Sequence, residues 1–268
     1  MAATRVAMVG GGAMGGAIVE GLVGLEGVDV TVVEADTQRA QAWRERADVD
    51  VSDATSAAAE ADVVVVAVKP HHVVDVLREI GPSLREGAIV VSIAAGVTLE
   101  VLERESPAGT PIVRTMPNTP VRVGRGVVGL SAGSNCTDSH VAMVSGLLSP
   151  VAHVVPVDEE LIDALTATSG SGPAYLFYLA EAMQRGAAEL GLPEDVAANL
   201  VAQTLVGAAE LLAAEPGSAR ELRASVTSKG GTTAAATAVF DAAHFDQIVV
   251  DAMRANRDRA RELAEGTG

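Results

Sequence analysis

Val6-Ala7-Met8-Val9-Gly10-Gly11-Gly12-Ala13-Met14-Gly15 is the stretch whose reading decides the fold: an apolar run stops at glycines, and Ala17-Ile18-Val19 resumes with helical character. The glycines at Gly10, Gly12 and Gly15 stand in the register G-x-G-x-x-G. Between a strand and a helix, that spacing has a mechanical meaning. The first glycine permits a tight turn, the second lets the backbone approach a pyrophosphate, and the third lets helix and strand pack closely, while the helix N-terminus faces the anion. The sequence predicts a dinucleotide cradle of Gly10, Gly12, Ala13, Met14 and Gly15; outside this context the same glycines would read as a flexible loop.

Outward from the cradle, residues 28–33 read as the second strand, and Glu34 follows nineteen residues past Gly15 (34 minus 15). An acidic side chain there accepts hydrogen bonds from the adenosine ribose hydroxyls. Glu34 and Asp36 would repel a 2′-phosphate, so among NADPH and NADH the reading leans toward NADH; Thr37 and Arg39 are the groups placed to receive a phosphate instead. Further β-branched runs at 63–68, 89–92, 112–115, 127–130 and 151–155 alternate with Ala-rich helical stretches, the pattern of a doubly wound parallel sheet. The run from Val63 to Val68 is apolar without alternation, as a central strand covered on both faces requires.

After Pro156 the texture changes. Asp158-Glu159-Glu160 forms an acidic first turn, and helices are expected over 158–166, 173–190, 193–213, 218–225 and from the mid-230s onward, with a break near Ala243 and His244. The expected architecture is α/β: a Rossmann domain over residues 1–156, then an all-helical domain over 157–268.

Composition narrows the partners. Hydrophobic residues make up 49% of 268, but aromatics only 2%, so the core is built from small aliphatic side chains. Thirty-five acidic residues against nineteen basic ones give a formal charge of -16, which argues against nucleic acid and anionic membrane surfaces as partners. Lys69 and Lys229 are the two lysines, and this acidic, Arg-rich make-up resembles that of halophilic proteomes; an ordinary solvated acidic face would look the same. The lone Cys136 forms no intrachain disulfide, and His71, His72, His140, His153 and His244 are scattered, so no metal site is expected. The first apolar run is too short for a signal peptide or a membrane span, and a soluble cytoplasmic protein is expected.

Five further segments stand out: Val68-Lys69-Pro70, Ala94-Ala95-Gly96-Val97, Met116-Pro117-Asn118-Thr119-Pro120, Ser169-Gly170-Ser171-Gly172-Pro173-Ala174-Tyr175 and Val226-Thr227-Ser228-Lys229-Gly230-Gly231-Thr232-Thr233. The first four are read as strand ends or the turns after them, where ligands bind in such sheets, and the first three add Val68, Lys69, Pro70, Ala95, Gly96 and Asn118 to the cofactor candidates. In the last, the Gly230-Gly231 step exposes backbone N–H groups, with hydroxyls on both sides and a helix expected immediately after. Those groups suit a substrate carboxylate and make Ser228, Gly230, Gly231, Thr232 and Thr233 the substrate candidates; a plain helix cap is the competing reading. Both lysines lie in these loops, for ligand contact or for pairing with surface carboxylates. Tyr175, Phe177 and Tyr178 read as packing or dimer contacts.

In this order and spacing the segments resemble the pyrroline-5-carboxylate reductase family over nearly the whole chain. The resemblance implies reduction of the cyclic imine 1-pyrroline-5-carboxylate to L-proline by hydride from NAD(P)H, the last step of proline synthesis. It also implies a dimer or higher homo-oligomer whose intertwined helical domains complete a shared active site, with the Thr233 hydroxyl near the imine nitrogen as the catalytic group. The chain departs from the family at Glu34-Ala35, where Asn-Arg or similar polar residues are common, at Lys229, where proline is commoner, and at Ala224, where an acidic residue is usual. Rival readings are another Rossmann imine reductase, a β-hydroxyacid dehydrogenase, and a dinucleotide-binding sensor without turnover. The dehydrogenase needs a lysine on the central helix, and none follows Ser169 to Gly172 there.

Overall fold

The computed structural model describes residues 3–215 and 217–265. The chain divides into two compact units, one running through Ser171 and taking back the chain from Asn256 onward, the other Gly172–Ala255.

The first unit is a sheet wrapped by helices: β1 (Thr4–Val9), α1 (Ala13–Leu22), β2 (Val28–Val33), α2 (Thr37–Arg44), β3 (Asp50–Val51), α3 (Ala54–Glu60), β4 (Val63–Val66), α4 (Val73–Ile80), β5 (Ile89–Ser92), α5 (Leu99–Arg104), β6 (Ile112–Pro117), β7 (Gly126–Ala132), α6 (Asp138–Leu148) and β8 (Ala152–Pro156). Among the described residues the strand order is β3-β2-β1-β4-β5-β6-β7-β8. The winding direction reverses between β1 and β4, where doubly wound sheets place their ligands. The valines of β4 show why the sheet needs two helical layers. Val63 and Val65 pack into the core on the α1 and α6 face, while Val64 and Val66 pack into the core under α3, α4 and α5. All four are buried, each contributing about 2 kcal/mol of apolar burial.

Three expectations change. β4 stops at Val66, because Lys69 leads into the 3-10 turn Pro70–His72. β7 runs antiparallel to β6, so the sheet is mixed rather than wholly parallel. The link between them is the 3-10 turn Thr119–Val123 with Gly124 at φ +67°, too short for the helical crossover that a parallel partner requires. The edge strand β3 is two residues long and left no periodic signal.

The first compact unit continues past Pro156, the expected boundary. A 3-10 turn (Glu159–Leu161), α7 (Ile162–Leu165) and a π-helical turn (Thr166–Gly170) follow. Glu159 Oε1 accepts the Leu99 N–H at 2.6 Å and the guanidinium of buried Arg114 at 2.7 Å. Leu165 fills the space a Cβ on Gly129 would take, 2.5 Å from its Cδ1.

The second unit holds α8 (Gly172–Glu189), α9 (Glu194–Ala214), α10 (Ala219–Ser225), α11 (Thr232–Ala242) and the start of α12 (Phe245–Glu265). Gly191 at φ +96° ends α8 and Pro193 precedes α9, a glycine stop followed by a proline start. Ser218 and Glu221 form a capping box on α10, and His244 at φ +52° breaks α11 from α12. Among its described residues only Ala197 and Val201 are buried. Phe177, Tyr178, Leu200, Val206, Phe240 and Ile248 are exposed, and α9 is long and apolar enough to cross a membrane by length and composition.

Candidate active site

The glycine loop shows three reasons for three glycines. Gly10 sits at φ +111°, and a Cβ there would be 2.6 Å from the Ala67 carbonyl oxygen, so it joins the ends of β1 and β4. A Cβ on Gly15 would strike the Gly10 carbonyl and stand 3.0 Å from Ala67 Cβ, so it lets α1 lie down on the sheet. Gly12 is different. Its φ of -73° and ψ of -164° suit any residue, and a Cβ there would meet nothing within 4 Å. The backbone is bare on a side that no protein atom fills. Gly12 is also the N-cap of α1, with no side-chain cap and no acidic residue in the first turn. An uncapped helix start behind an open glycine fits a pyrophosphate.

Glu34 follows β2, as read from the sequence, but its carboxylate is already engaged. Arg39 Nε and Nη2 each donate to it at 3.1 Å, and the Asp36 N–H adds a bond at 2.9 Å. Its side chain is 6% exposed, against 56% for Arg39. Burial pushes the Glu34 carboxyl up, but the Arg39 bonds and the Asp36 N–H outweigh it and hold the group below its ordinary value. The repulsion expected against a 2′-phosphate is therefore offset by a guanidinium lying on the carboxylate.

The other cofactor candidates line the same edge of the sheet. Val68, Lys69 and Pro70 follow β4, Ala95 and Gly96 follow β5, and Asn118 follows β6, so with the residues after β1 and β2 they extend across the carboxyl ends of five adjacent parallel strands. Lys69 and Ala95 are exposed, and Gly96 adopts φ +78° with Leu263 and Ala264 of α12 against it. The Asn118 side chain is turned inward: Nδ2 donates to Ser169 O and Oδ1 accepts from Val127 N, each at 2.9 Å. Both ends of its amide brace the π-helical turn and β7.

Ser228, Lys229, Gly230, Gly231, Thr232 and Thr233 belong to the second unit. Gly230 takes φ +74°, the Gly231 N–H returns to Ser228 O at 3.0 Å, and α11 starts at Thr232 with Gly231 as N-cap and no side-chain cap. The competing reading of a Ser or Thr helix cap does not describe this end. Among the described residues no three His, Cys, Asp or Glu side chains gather to hold a metal.

Two features were missed from sequence. Arg39 was read as a possible phosphate ligand and not as the partner of Glu34; the five-residue spacing across a helix start was the available signal. Nothing in the sequence pattern ties Trp43 to the glycine loop. The Trp43 indole donates from Nε1 to Gly11 O at 3.2 Å and lines a cleft of about 630 Å³ with Gly11, Gly12 and Ala13.

A glycine cradle at the reversal point of a doubly wound sheet, followed by an apolar helical unit, defines the class: a nicotinamide-dependent oxidoreductase built on a Rossmann domain. A family model described as "Pyrroline-5-carboxylate reductase dimerisation" matches residues 159–263, and one described as "NADP oxidoreductase coenzyme F420-dependent" matches residues 5–96. A pyrroline-5-carboxylate reductase of Haemophilus influenzae is 40% identical over 96% of this chain and 97% of its own. The solved pyrroline-5-carboxylate reductase of Coxiella burnetii superposes with a TM-score of 0.91 at 35% identity, over 98% of this chain and 99% of its own. The Plasmodium falciparum pyrroline carboxylate reductase, solved with NADP bound, gives a TM-score of 0.87 at 25% identity, over 98% and 99%. The chain belongs to the pyrroline-5-carboxylate reductase family. The match described as dimerisation takes in the whole of the second unit.

Proposed function

We propose that this chain reduces 1-pyrroline-5-carboxylate to L-proline, with the dinucleotide on the β1–α1 cradle and the substrate carboxylate at the start of α11. The observation that carries the cofactor half is Gly12, a glycine that its own backbone and neighbours do not require. The bound nicotinamide supplies the hydride. The chain's own groups have humbler tasks: to hold the ring and the imine carbon in register and to keep water away. Thr232, Thr233 and the residue after them start α11 without a side-chain cap, so their N–H groups can receive a carboxylate; the Thr233 hydroxyl is assigned to the imine nitrogen by the family resemblance. The protonated imine is already electrophilic, so no strong acid is needed.

The apolar faces of α8, α9, α11 and α12 support assembly with a second copy, which completes the shared active site and covers a helix that by composition alone would suit a membrane. The acidic surface and the absence of a disulfide pair fit a cytoplasmic enzyme working in concentrated salt.

Loss of nicotinamide absorbance with pyrroline-5-carboxylate in high salt, NADH and NADPH in parallel, tests the reaction. Turnover supports it; tight dinucleotide binding without turnover would replace it by the sensor reading. Thr233→Ala is expected to lower kcat by about a hundredfold, the low end of what a positioned proton-transfer group contributes, while cofactor affinity is kept. Loss of cofactor affinity equal to that of a cradle variant would contradict this division of labour. Glu34→Ser with Ala35→Arg frees Arg39, adds a second cation and is expected to move the kcat/KM ratio toward NADPH by about tenfold, or about 1.4 kcal/mol. A wild type that already prefers NADPH strongly would show that Glu34 does not select.

A further inference from the structure

The fingerprint asks for glycine at Gly10, Gly12 and Gly15, yet Gly11 and Gly16 are glycines too, and neither has a positive φ. What requires them is Trp43. A Cβ on Gly11 would collide with the indole Nε1 and stand 3.0 Å from both Cδ1 and Val32 Cγ1, and a Cβ on Gly16 would be 3.2 Å from Cζ2. The indole therefore occupies the space that two missing Cβ atoms leave beside the loop and the first turn of α1. It is held from outside as well. The Arg46 guanidinium lies 5.2 Å from the ring centroid, anchored by Glu20 of α1 and by Asp48. This is the single Trp of a chain with 2% aromatics.

The hydrogen bond decides more than packing. In a planar trans peptide the carbonyl of one residue and the N–H of the next point in opposite directions. Trp43 Nε1 donates to Gly11 O at 3.2 Å, so the indole sets which way the Gly12 N–H points and the plane from which α1 starts. Three consecutive glycines are otherwise the most costly backbone to order. We infer that Trp43 is a positioning residue for the cofactor: it locks the Gly11–Gly12 peptide in its binding orientation before the pyrophosphate arrives. This rests on the dinucleotide reading of the loop and adds to it a residue from α2, outside the glycine motif.

The test reads binding without turnover, by calorimetric titration of the full-length protein with NADH and with NADPH. Binding by the parent tests the cradle; the variants test Trp43. Trp43→Phe keeps an aromatic ring but removes the indole N–H together with part of the bicycle, and is expected to raise both dissociation constants at least about fivefold, the equivalent of one net hydrogen bond of about 1 kcal/mol. Its kcat at saturating cofactor and its KM for the imine should stay within about twofold, which a merely destabilised protein would not show. Gly11→Ala is expected to weaken dinucleotide binding strongly in the parent and less in a Trp43→Leu background, where the nearest clashing atom is gone and Val32 Cγ1 at 3.0 Å remains. Unchanged dissociation constants in Trp43→Phe, or strictly additive effects of Gly11→Ala and Trp43→Leu, would overturn the inference while leaving the cradle in place.

Discussion

Gly12→Val folds as the parent does and loses dinucleotide affinity by at least about a hundredfold, or about 2.7 kcal/mol. The two halves of this expected result come from separate observations. The fold half rests on φ -73° and ψ -164° at Gly12, ordinary for a side-chain-bearing residue, and on the empty 4 Å around its virtual Cβ. The binding half rests on the same emptiness: a valine there projects its methyl groups over the uncapped start of α1, where the pyrophosphate must come within hydrogen-bond distance of the backbone. Gly10 and Gly15 are the controls, because a side chain at either meets backbone carbonyls inside the protein. Gly10→Val and Gly15→Val should therefore lower the melting temperature, which Gly12→Val should not. Thermal denaturation beside calorimetric titration separates the three. A destabilised Gly12→Val would mean that this glycine too serves the fold, and dinucleotide binding by it would displace the pyrophosphate from the loop.

The same contrast shows what the sequence could and could not express. The cradle was legible because its spacing encodes local geometry: strand end, turn, helix start. The places of β2, β4, β5 and β6 were legible because buried parallel strands are apolar runs, although β4 stops short of Val68 and β6 runs on to Pro117, and the residues after them fall on one edge of the sheet by topology alone. Direction was less legible. β6 and β7 read as two equal apolar runs, and only the short turn between them makes them antiparallel. Side-chain engagement was not legible at all. Glu34 and Asn118 have the residue types a cofactor site calls for, yet Arg39 occupies the first, and Ser169 with Val127 occupies the second. Such pairings join residues whose spacing carries no periodic signal, and the Trp43 contact to Gly11 spans 32 positions.

The helical unit carries the other large effect. Leu200→Asp combined with Val206→Asp is expected to convert the protein to monomers by light scattering and to lower kcat/KM by more than about a hundredfold, while dinucleotide affinity changes little. Residues 172–255 bury only Ala197 and Val201 among those described, so one copy of this unit has almost no core of its own. Leu200 is 50% exposed and Val206 51%, both on α9, beside a set that includes Phe240 and Ile248. An apolar surface of that extent on four helices is costly to leave in water, and a second copy laid over it would remove that cost. In a twofold assembly every substitution enters twice, so four carboxylates would have to leave water together, at several kcal/mol each. The first unit is spared because its two cores lie on the two faces of its own sheet. Cofactor binding should thus persist in a protein that has lost the reaction, because α11 and the loop proposed for the substrate belong to the unit whose apolar faces the proposed assembly would cover. A variant that stayed dimeric would place the interface on another face of the unit, and a monomer with full activity would show that each active site is complete within one chain.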